Sequence, residues 1–140
     1  MTAELYSEAI LAEAKARHAA GRLEAPHATV TCDNPLCGDR VTVDLQLDHG
    51  RVSGIGQHTR GCLLTQAAAS VVGRHAVGSS SEEVGAVTLE LHRLLAGEAV
   101  APRWAELAMF APVSAVRSRH ECVLLPLQAL SEALSKGRGS

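Results

Sequence analysis

Residues 40–47 place the strongest constraint on the fold of this 140-residue chain. Hydrophobic side chains alternate with polar ones along the stretch, which is the pattern of a β-strand with one buried and one solvated face. The buried face is predicted to carry Val41, Val43, Leu45 and Leu47. Residues 48–50, Asp-His-Gly, favour a turn, and residues 51–58 are predicted to return as the second arm of a hairpin. Gly54 and Gly56 interrupt this arm, which indicates a bulge or a close backbone contact.

The region before the hairpin is predicted to contain one helix and one short strand. Residues 2–20 have helical spacing and Gly21 ends the pattern, within an N-terminal segment of residues 1–24. Residues 25–31 are predicted to be the strand. The apolar face of the helix is predicted from Leu5, Ala9, Ala12 and Ala16.

Two helices are predicted directly after the hairpin. The first follows Cys62 and carries a run of small residues suited to close packing; its spacing is read from Leu63, Ala67, Ser70, Val71 and Arg74. The second begins at Ser79 or Ser80, with Glu82 or Glu83 completing a capping box. Its apolar stripe is predicted to consist of Val84, Val87, Leu91 and Leu94.

The C-terminal part is predicted to hold a short helical segment over residues 104–110, ended by Pro112, and a final helix over residues 122–134. Because proline fits the first turn of a helix, Pro126 predicts that this helix begins after Cys122 and leaves its thiol on the preceding turn. Residues 136–140 are predicted to be frayed.

These elements predict a single α+β domain of residues 1–140, with a small antiparallel sheet of about three strands and several helices packed on one face. Hydrophobic residues make up 46% of the chain, but only Tyr6, Trp104 and Phe110 are aromatic. The core is therefore predicted to consist of Leu, Val and Ala side chains.

Charge and composition exclude several classes of function. A formal net charge of −2 does not favour binding to nucleic acid or to an anionic membrane. No apolar run approaches the length of a membrane span, and the N-terminus lacks the basic region of a signal peptide. The expected location is therefore cytoplasmic, where the four cysteines favour metal ligation or catalysis over disulfides.

The candidate site starts in residues 34–40, Asn-Pro-Leu-Cys-Gly-Asp-Arg. Cys37 and Asp39 are metal-capable side chains separated by a glycine, which lets the backbone bend tightly between them. Cys62 and Cys122 lie at later junctions between predicted elements, where folds expose reactive groups, and a nearby helix N-terminus favours thiolate. One such cysteine alone indicates only packing. Three cysteines at junctions between predicted elements, together with an aspartate, indicate a metal or reactive site.

Other candidates carry weaker signals. Cys32 is predicted to be a buried strand residue, because no second closely spaced cysteine pair accompanies it. His120 neighbours Cys122, yet a ligand role is not favoured, and Arg119 is interpreted either as a balance for thiolate charge or as an ordinary surface residue. The remaining histidines considered are predicted to be ordinary surface or core residues: His58, His75 and His92.

Several pieces of the chain resemble one known family. They are residues 34–40, the alternating hairpin, Gly-Cys at 61–62 before a small-residue helix, and Arg-His-Glu-Cys at 119–122. Together they resemble the IscU/SufU/NifU N-terminal family of iron–sulfur cluster assembly scaffold proteins over most of the chain. The resemblance implies the fold of that family and a cysteine desulfurase as partner, with apo iron–sulfur proteins or downstream carriers as recipients. It also implies one metal centre, either a zinc ion or a [2Fe–2S] cluster, with four surrounding ligands: Cys37, Asp39, Cys62 and Cys122.

The SufU branch is the closer resemblance, because residues 97–118 look longer than the IscU connection. Glu121 departs from both branches, since IscU-type proteins have histidine there and SufU-type proteins usually have lysine. The implied function is a scaffold, rather than an enzyme, that accepts sulfur through Cys62 or Cys122 and assembles or passes on a labile cluster. The alternatives are a zinc-dependent sulfurtransferase relaying persulfide from a SufS-type desulfurase, and a structural zinc module without chemistry.

Overall fold

The structure, a computed structural model, describes residues 7–36 and 38–138, with Arg138 described by its backbone alone. The elements in chain order are helix α1 (Glu8–Ala16), strands β1 (Ala28–Asn34), β2 (Asp39–Asp48) and β3 (Arg51–Arg60), helices α2 (Leu63–His75) and α3 (Ser81–Leu95), 3-10 helices Ala105–Ala115 and Arg117–Arg119, and helix α4 (His120–Arg138). The strands form one antiparallel sheet in the order β1-β2-β3. Helix α4 packs on β1 and β2, and α2 packs on β3. The predicted α+β class is therefore confirmed.

The predicted hairpin is formed by β2 and β3, and its predicted buried face is buried except at Leu47, which is half-buried. Val41, Val43 and Leu45 are fully buried. The pairing shifts between Gln46 and Leu47, which produces the expected irregularity opposite the glycine-containing arm. A Cβ at Gly56 would lie 2.6 Å from the backbone oxygen of Gly21, so this glycine permits a close backbone approach.

The other face of β2 differs from the prediction at Asp44, which is fully buried rather than solvated. The Arg22 guanidinium donates to its carboxylate from Nε at 2.5 Å and from a terminal nitrogen at 3.0 Å. The Thr29 hydroxyl and the Leu23 N–H also donate to it. These hydrogen bonds, that of Arg22 foremost, hold the pKa of Asp44 below its usual range despite burial. The alternation could not reveal that residues 17–27 cover this face.

Helix α1 is shorter than predicted, and the face that it buries is not the predicted one. It ends at Ala16, and Arg17 has a left-handed φ of 46°; residues 2–6 of the predicted helix lie outside the described part of the chain. The buried residues are Ile10, Glu13 and Ala14, whereas the predicted face of Ala9, Ala12 and Ala16 is exposed. The spacing analysis missed this face because Glu13 counted as polar. Strand β1 begins three residues later than predicted, at Ala28.

Glu13 is buried because α2 supplies its partners. Arg74 donates to one carboxylate oxygen at 2.9 Å, and the Ser70 hydroxyl donates to the other at 2.8 Å. A paired carboxylate can occupy a helix interface that an unpaired one could not. Helices α2 and α3 match their predictions, and Ser80 and Glu83 form the capping box at the start of α3. The predicted stripe of α3 is buried: Val84, Val87, Leu91 and Leu94.

The C-terminal part departs from prediction at Pro112 and at Pro126. The 3-10 helix Ala105–Ala115 continues through Pro112, because successive short turns lose only one hydrogen bond to a missing N–H. The short helix Arg117–Arg119 leads directly into α4, so Cys122 lies in the first turn of α4 and Pro126 lies inside the helix. Helix α4 continues through Arg138, so the predicted frayed tail does not begin at residue 136. Residues 139–140 lie outside the described residues.

Among the helices described, none combines the length and hydropathy that crossing a bilayer requires.

Candidate metal centre

Three distant parts of the chain bring a carboxylate and two thiols together. Asp39 is the first residue of β2, Cys62 is the N-cap of α2, and Cys122 lies in the first turn of α4. The ligand atoms of these three side chains all lie within 4.8 Å of one another. Asp39 is 2% exposed and Cys122 0% exposed, whereas Cys62 is half-buried. The group therefore has buried walls, with Cys62 as its partly open side.

The remaining predicted ligand, Cys37, lies outside the described residues, and its ligand role stays a prediction. Its neighbour Gly38 has the tightly bent backbone that the sequence predicts. The Gly38 N–H donates to the Asn34 oxygen at 2.8 Å, and Gly38 has a φ of 73°, which glycine adopts without steric cost. Leu36 is 91% exposed.

The Asp39 carboxylate is held by the first turn of α2. Its Oδ1 accepts a hydrogen bond from the Cys62 N–H at 3.1 Å, and its Oδ2 accepts one from the Thr65 hydroxyl at 2.8 Å. The Thr65 oxygen also lies 3.5 Å from the Cys62 sulfur. Asp39 thus satisfies one of the backbone N–H groups that a helix leaves free at its N-terminus.

Two residues of this arrangement were missed by sequence reasoning. Thr65 is fully buried, and a Cβ at Gly61 would lie 2.5 Å from Asp39 Oδ1. Gly61 therefore leaves the carboxylate its space, and Thr65 gives it a donor. The available signal was position: Thr65 follows the N-cap Cys62 by three residues, where a side chain can reach back to the helix start.

The donor set fits a thiophilic metal. Two thiolates and a carboxylate are ligands of zinc, and they also suit an iron–sulfur centre. With Zn–S bonds of about 2.3 Å, tetrahedral geometry puts ligand atoms about 3.8 Å apart. The ligand atoms of Asp39, Cys62 and Cys122 lie within 4.8 Å of one another, which is close to this spacing. These residues can hold such a metal without rearrangement of the fold.

The other candidate residues lie outside this group. Cys32 is buried in β1, and burial, followed by the nearby Glu132, raises its pKa to about 11, so its thiol is unreactive at neutral pH. The His75 ring stacks on Trp104 and contacts Glu106. His120 Nε2 lies 3.1 Å from the Val113 backbone oxygen. Several further side chains are exposed or half-buried: His58, His92, Arg119 and Glu121.

Comparison with known families assigns the chain. The profile of the family described as NifU-like N terminal domain matches residues 5–134. The chain therefore belongs to the NifU-like N-terminal domain family.

Two curated relatives carry the name iron–sulfur cluster assembly scaffold protein IscU. The one from Thermotoga maritima is 28% identical over 133 residues, which cover 94% of each chain. The one from Streptococcus pyogenes serotype M1 is 26% identical over 134 residues, covering 94% of this chain and 84% of that protein.

Solved structures show the same architecture. The crystal structure of the N-terminal part of a nitrogen-fixing NifU-like protein from Brucella abortus superposes with a TM-score of 0.93 at 30% identity, covering 99% of this chain and 98% of that one. A putative scaffold protein for the SUF system from Fervidobacterium islandicum AW-1, termed SufU, superposes with a TM-score of 0.87 at 24% identity, covering 96% and 99%. At that identity the second likeness shows a shared fold alone.

Proposed function

We propose that this chain is an iron–sulfur cluster assembly scaffold that holds a labile [2Fe–2S] cluster as cargo on Cys37, Asp39, Cys62 and Cys122. The supporting observation is that Asp39, Cys62 and Cys122 converge within 4.8 Å in a chain that matches the NifU-like family over residues 5–134. The scaffold names of the two curated relatives agree with this proposal. The proposed location is the cytosol, where thiols stay reduced.

The proposed sulfur source is a cysteine desulfurase that carries a persulfide. A thiolate of the scaffold attacks the outer sulfur of that persulfide, a new S–S bond forms, and the cysteine of the desulfurase leaves as a thiolate. Reduction of the transferred sulfur to sulfide takes two electrons from an external thiol reductant. Cys62 is half-buried and can be reached directly. Cys122 is fully buried, so it can act as the acceptor only if the surface above it opens.

Release to an apo iron–sulfur protein or a carrier follows from the ligand set. A carboxylate is a harder donor than a thiolate and holds a soft iron–sulfur centre less firmly. An incoming cysteine ligand of the recipient can therefore displace Asp39 first. A protein that stores its cluster permanently would gain from a fourth cysteine in place of this aspartate.

Anaerobic reconstitution tests the scaffold proposal. Apo protein is mixed with ferrous iron, cysteine, a thiol reductant and a cysteine desulfurase, and cluster formation is followed by visible absorbance and by iron and sulfide analysis. We expect a cluster on the wild type and loss of most of it in Cys62→Ala and Cys122→Ala. Cys32→Ala is the matched control and should retain the cluster, because Cys32 lies in β1 outside the metal-capable group. Wild-type protein that forms no cluster would contradict the proposal.

The alternative is a zinc-dependent sulfurtransferase that relays persulfide from a SufS-type desulfurase. It is favoured by the donor set, since three cysteines and an aspartate would complete a tetrahedral zinc site. Metal content after aerobic and anaerobic purification separates the alternatives. Zinc alone in both preparations, with desulfurase turnover that depends on Cys62 or Cys122, would support the transferase. Zinc without any effect on turnover would support a structural module.

A further inference from the structure

We propose that Thr65 is a positioning residue that fixes the Asp39 carboxylate at the metal position before any metal binds. This inference rests on the proposed function, because it takes Asp39 as a metal ligand. Thr65 itself is assigned no direct contact with the metal.

Hydrogen bonds hold the Asp39 carboxylate at both of its oxygens. Thr65 is 0% exposed and Asp39 is 2% exposed, so solvent is a poor substitute for the hydroxyl. The Thr65 hydroxyl donates to Oδ2 at 2.8 Å and the Cys62 N–H donates to Oδ1 at 3.1 Å. Because each oxygen has a donor of its own, rotation of the carboxylate breaks at least one hydrogen bond.

The backbone at Gly61 also restricts the Asp39 carboxylate sterically. The Gly61 Cα faces the carboxylate so closely that an added Cβ would lie 2.5 Å from Oδ1 and 2.9 Å from Cγ. One short segment, residues 61–65, thus contacts Asp39 through the Gly61 backbone, the Cys62 N–H and the Thr65 hydroxyl. This segment leads into α2 and also carries the Cys62 thiol.

The held position is also the position needed for ligation. With both hydrogen bonds made, a carboxylate oxygen of Asp39 already lies within 4.8 Å of the Cys62 and Cys122 sulfurs. An ionised carboxylate offers about four lone-pair sites, so accepting these two hydrogen bonds is compatible with metal ligation. A ligand that is already oriented loses little freedom on binding. Removing such a partner typically lowers metal affinity about 10-fold to 100-fold.

The matched pair Thr65→Ser and Thr65→Ala tests this role, because both lose the methyl group and only one keeps the hydroxyl. The measurement is anaerobic titration of the full-length apo protein with Co²⁺, followed by the sulfur-to-cobalt absorption band. We expect Thr65→Ala to bind Co²⁺ about 10-fold more weakly than Thr65→Ser. In an Asp39→Ala background the two variants should bind equally. Thermal melting of the apo proteins monitors folding, and Thr65→Val replaces Thr65→Ala if the latter does not melt cooperatively.

A second readout needs no metal. Hydrogen exchange of the Cys62 amide in the apo protein reports on its bond to Asp39, and we expect exchange about 10-fold faster in Thr65→Ala than in Thr65→Ser. Equal Co²⁺ affinities in the pair, or the same difference in the Asp39→Ala background, would overturn the role of Thr65. Failure of the wild type to bind Co²⁺ would contradict the proposed function instead, and the amide exchange would still decide whether Thr65 holds Asp39.

Discussion

At the residue scale, Asp39 both accepts a hydrogen bond from the start of α2 and lies in the metal-capable group. It caps α2 through the Cys62 N–H, and it is the only oxygen donor in the group with Cys62 and Cys122. These tasks respond differently to substitution. Alanine removes both the cap and the ligand, whereas asparagine keeps an oxygen that can accept from the Cys62 N–H but ligates metal poorly.

We expect the Asp39→Ala protein, once reconstituted anaerobically, to hold its cluster longer than the wild type, because the most easily displaced ligand is gone. The measurement is the half-life of cluster absorbance against a chelator. The apo variant should be less stable by about 1 kcal/mol through loss of the helix cap, and Asp39→Asn should recover part of that loss. A shorter half-life in Asp39→Ala would instead favour a structural zinc site, in which each of four ligands holds the ion.

Cysteine and aspartate can be recognised in a sequence as metal-capable residues, so Asp39, Cys62 and Cys122 could be proposed as one group from the sequence alone. Thr65 could not be identified in this way, since a threonine in a helix has many ordinary roles and its distance from Asp39 depends on tertiary packing. The burial of Glu13 and of Asp44 could not be predicted for the same reason. Each is a carboxylate whose burial depends on an arginine far away in sequence, Arg74 and Arg22 respectively.

At the element scale, the junction between β3 and α2 decides the geometry of the site. Gly61 separates the end of β3 from the first turn of α2 and leaves no room for a side chain beside Asp39. The sequence predicted that a helix follows Cys62, and it does. The start of α4 was harder to predict, because the 3-10 turn Arg117–Arg119 feeds into it and moves Cys122 inside the helix.

We predict that Gly61→Ala displaces the Asp39 carboxylate and destabilises the apo protein by about 1–3 kcal/mol, as overpacking of a buried site does. Urea unfolding measures the stability, and Co²⁺ titration should show weakened binding. Gly85→Ala is the control: nothing lies within 4 Å of an added Cβ there, and Gly85 lies inside α3. That substitution should stabilise the protein by about 0.5–1 kcal/mol. Unchanged Co²⁺ binding in Gly61→Ala would show that the carboxylate tolerates displacement.

At the scale of the whole molecule, the sheet order and the packing of α2 and α4 on the sheet bring residues 39, 62 and 122 together. The alternation of β2 and the capping box of α3 were readable as local patterns, so the fold class was predictable. The path of residues 17–27 could not be predicted, because it depends on hydrogen bonds that Arg22 and Leu23 donate to the buried Asp44. Global stability should therefore depend on the charge of Asp44.

The pKa of Asp44 is lowered in the folded protein, chiefly by its hydrogen bond from Arg22. The stabilising contribution of the carboxylate is therefore complete above its unfolded pKa of about 3.9 and is lost as the pH falls through the lower folded value. We expect Asp44→Asn to cost about 2 kcal/mol at pH 7 and to flatten the decline in stability below pH 4. Urea unfolding between pH 2 and pH 7 measures both effects. Asp33→Asn, which alters the exposed pair with Arg40, is the control and should change stability by less than about 1 kcal/mol.

The outer edge of β1 carries one further consequence of the fold. Among residues 7–36 and 38–138, β1 pairs in the sheet with β2 alone, so its other edge presents backbone groups that could pair with a strand of another molecule. Lys136, near the end of α4, donates from Nζ to the Thr29 backbone oxygen at 2.9 Å on this strand. A charged side chain at an open sheet edge discourages strand addition. Lys136 thus places a positive charge at this edge, where such a charge opposes edge-to-edge association.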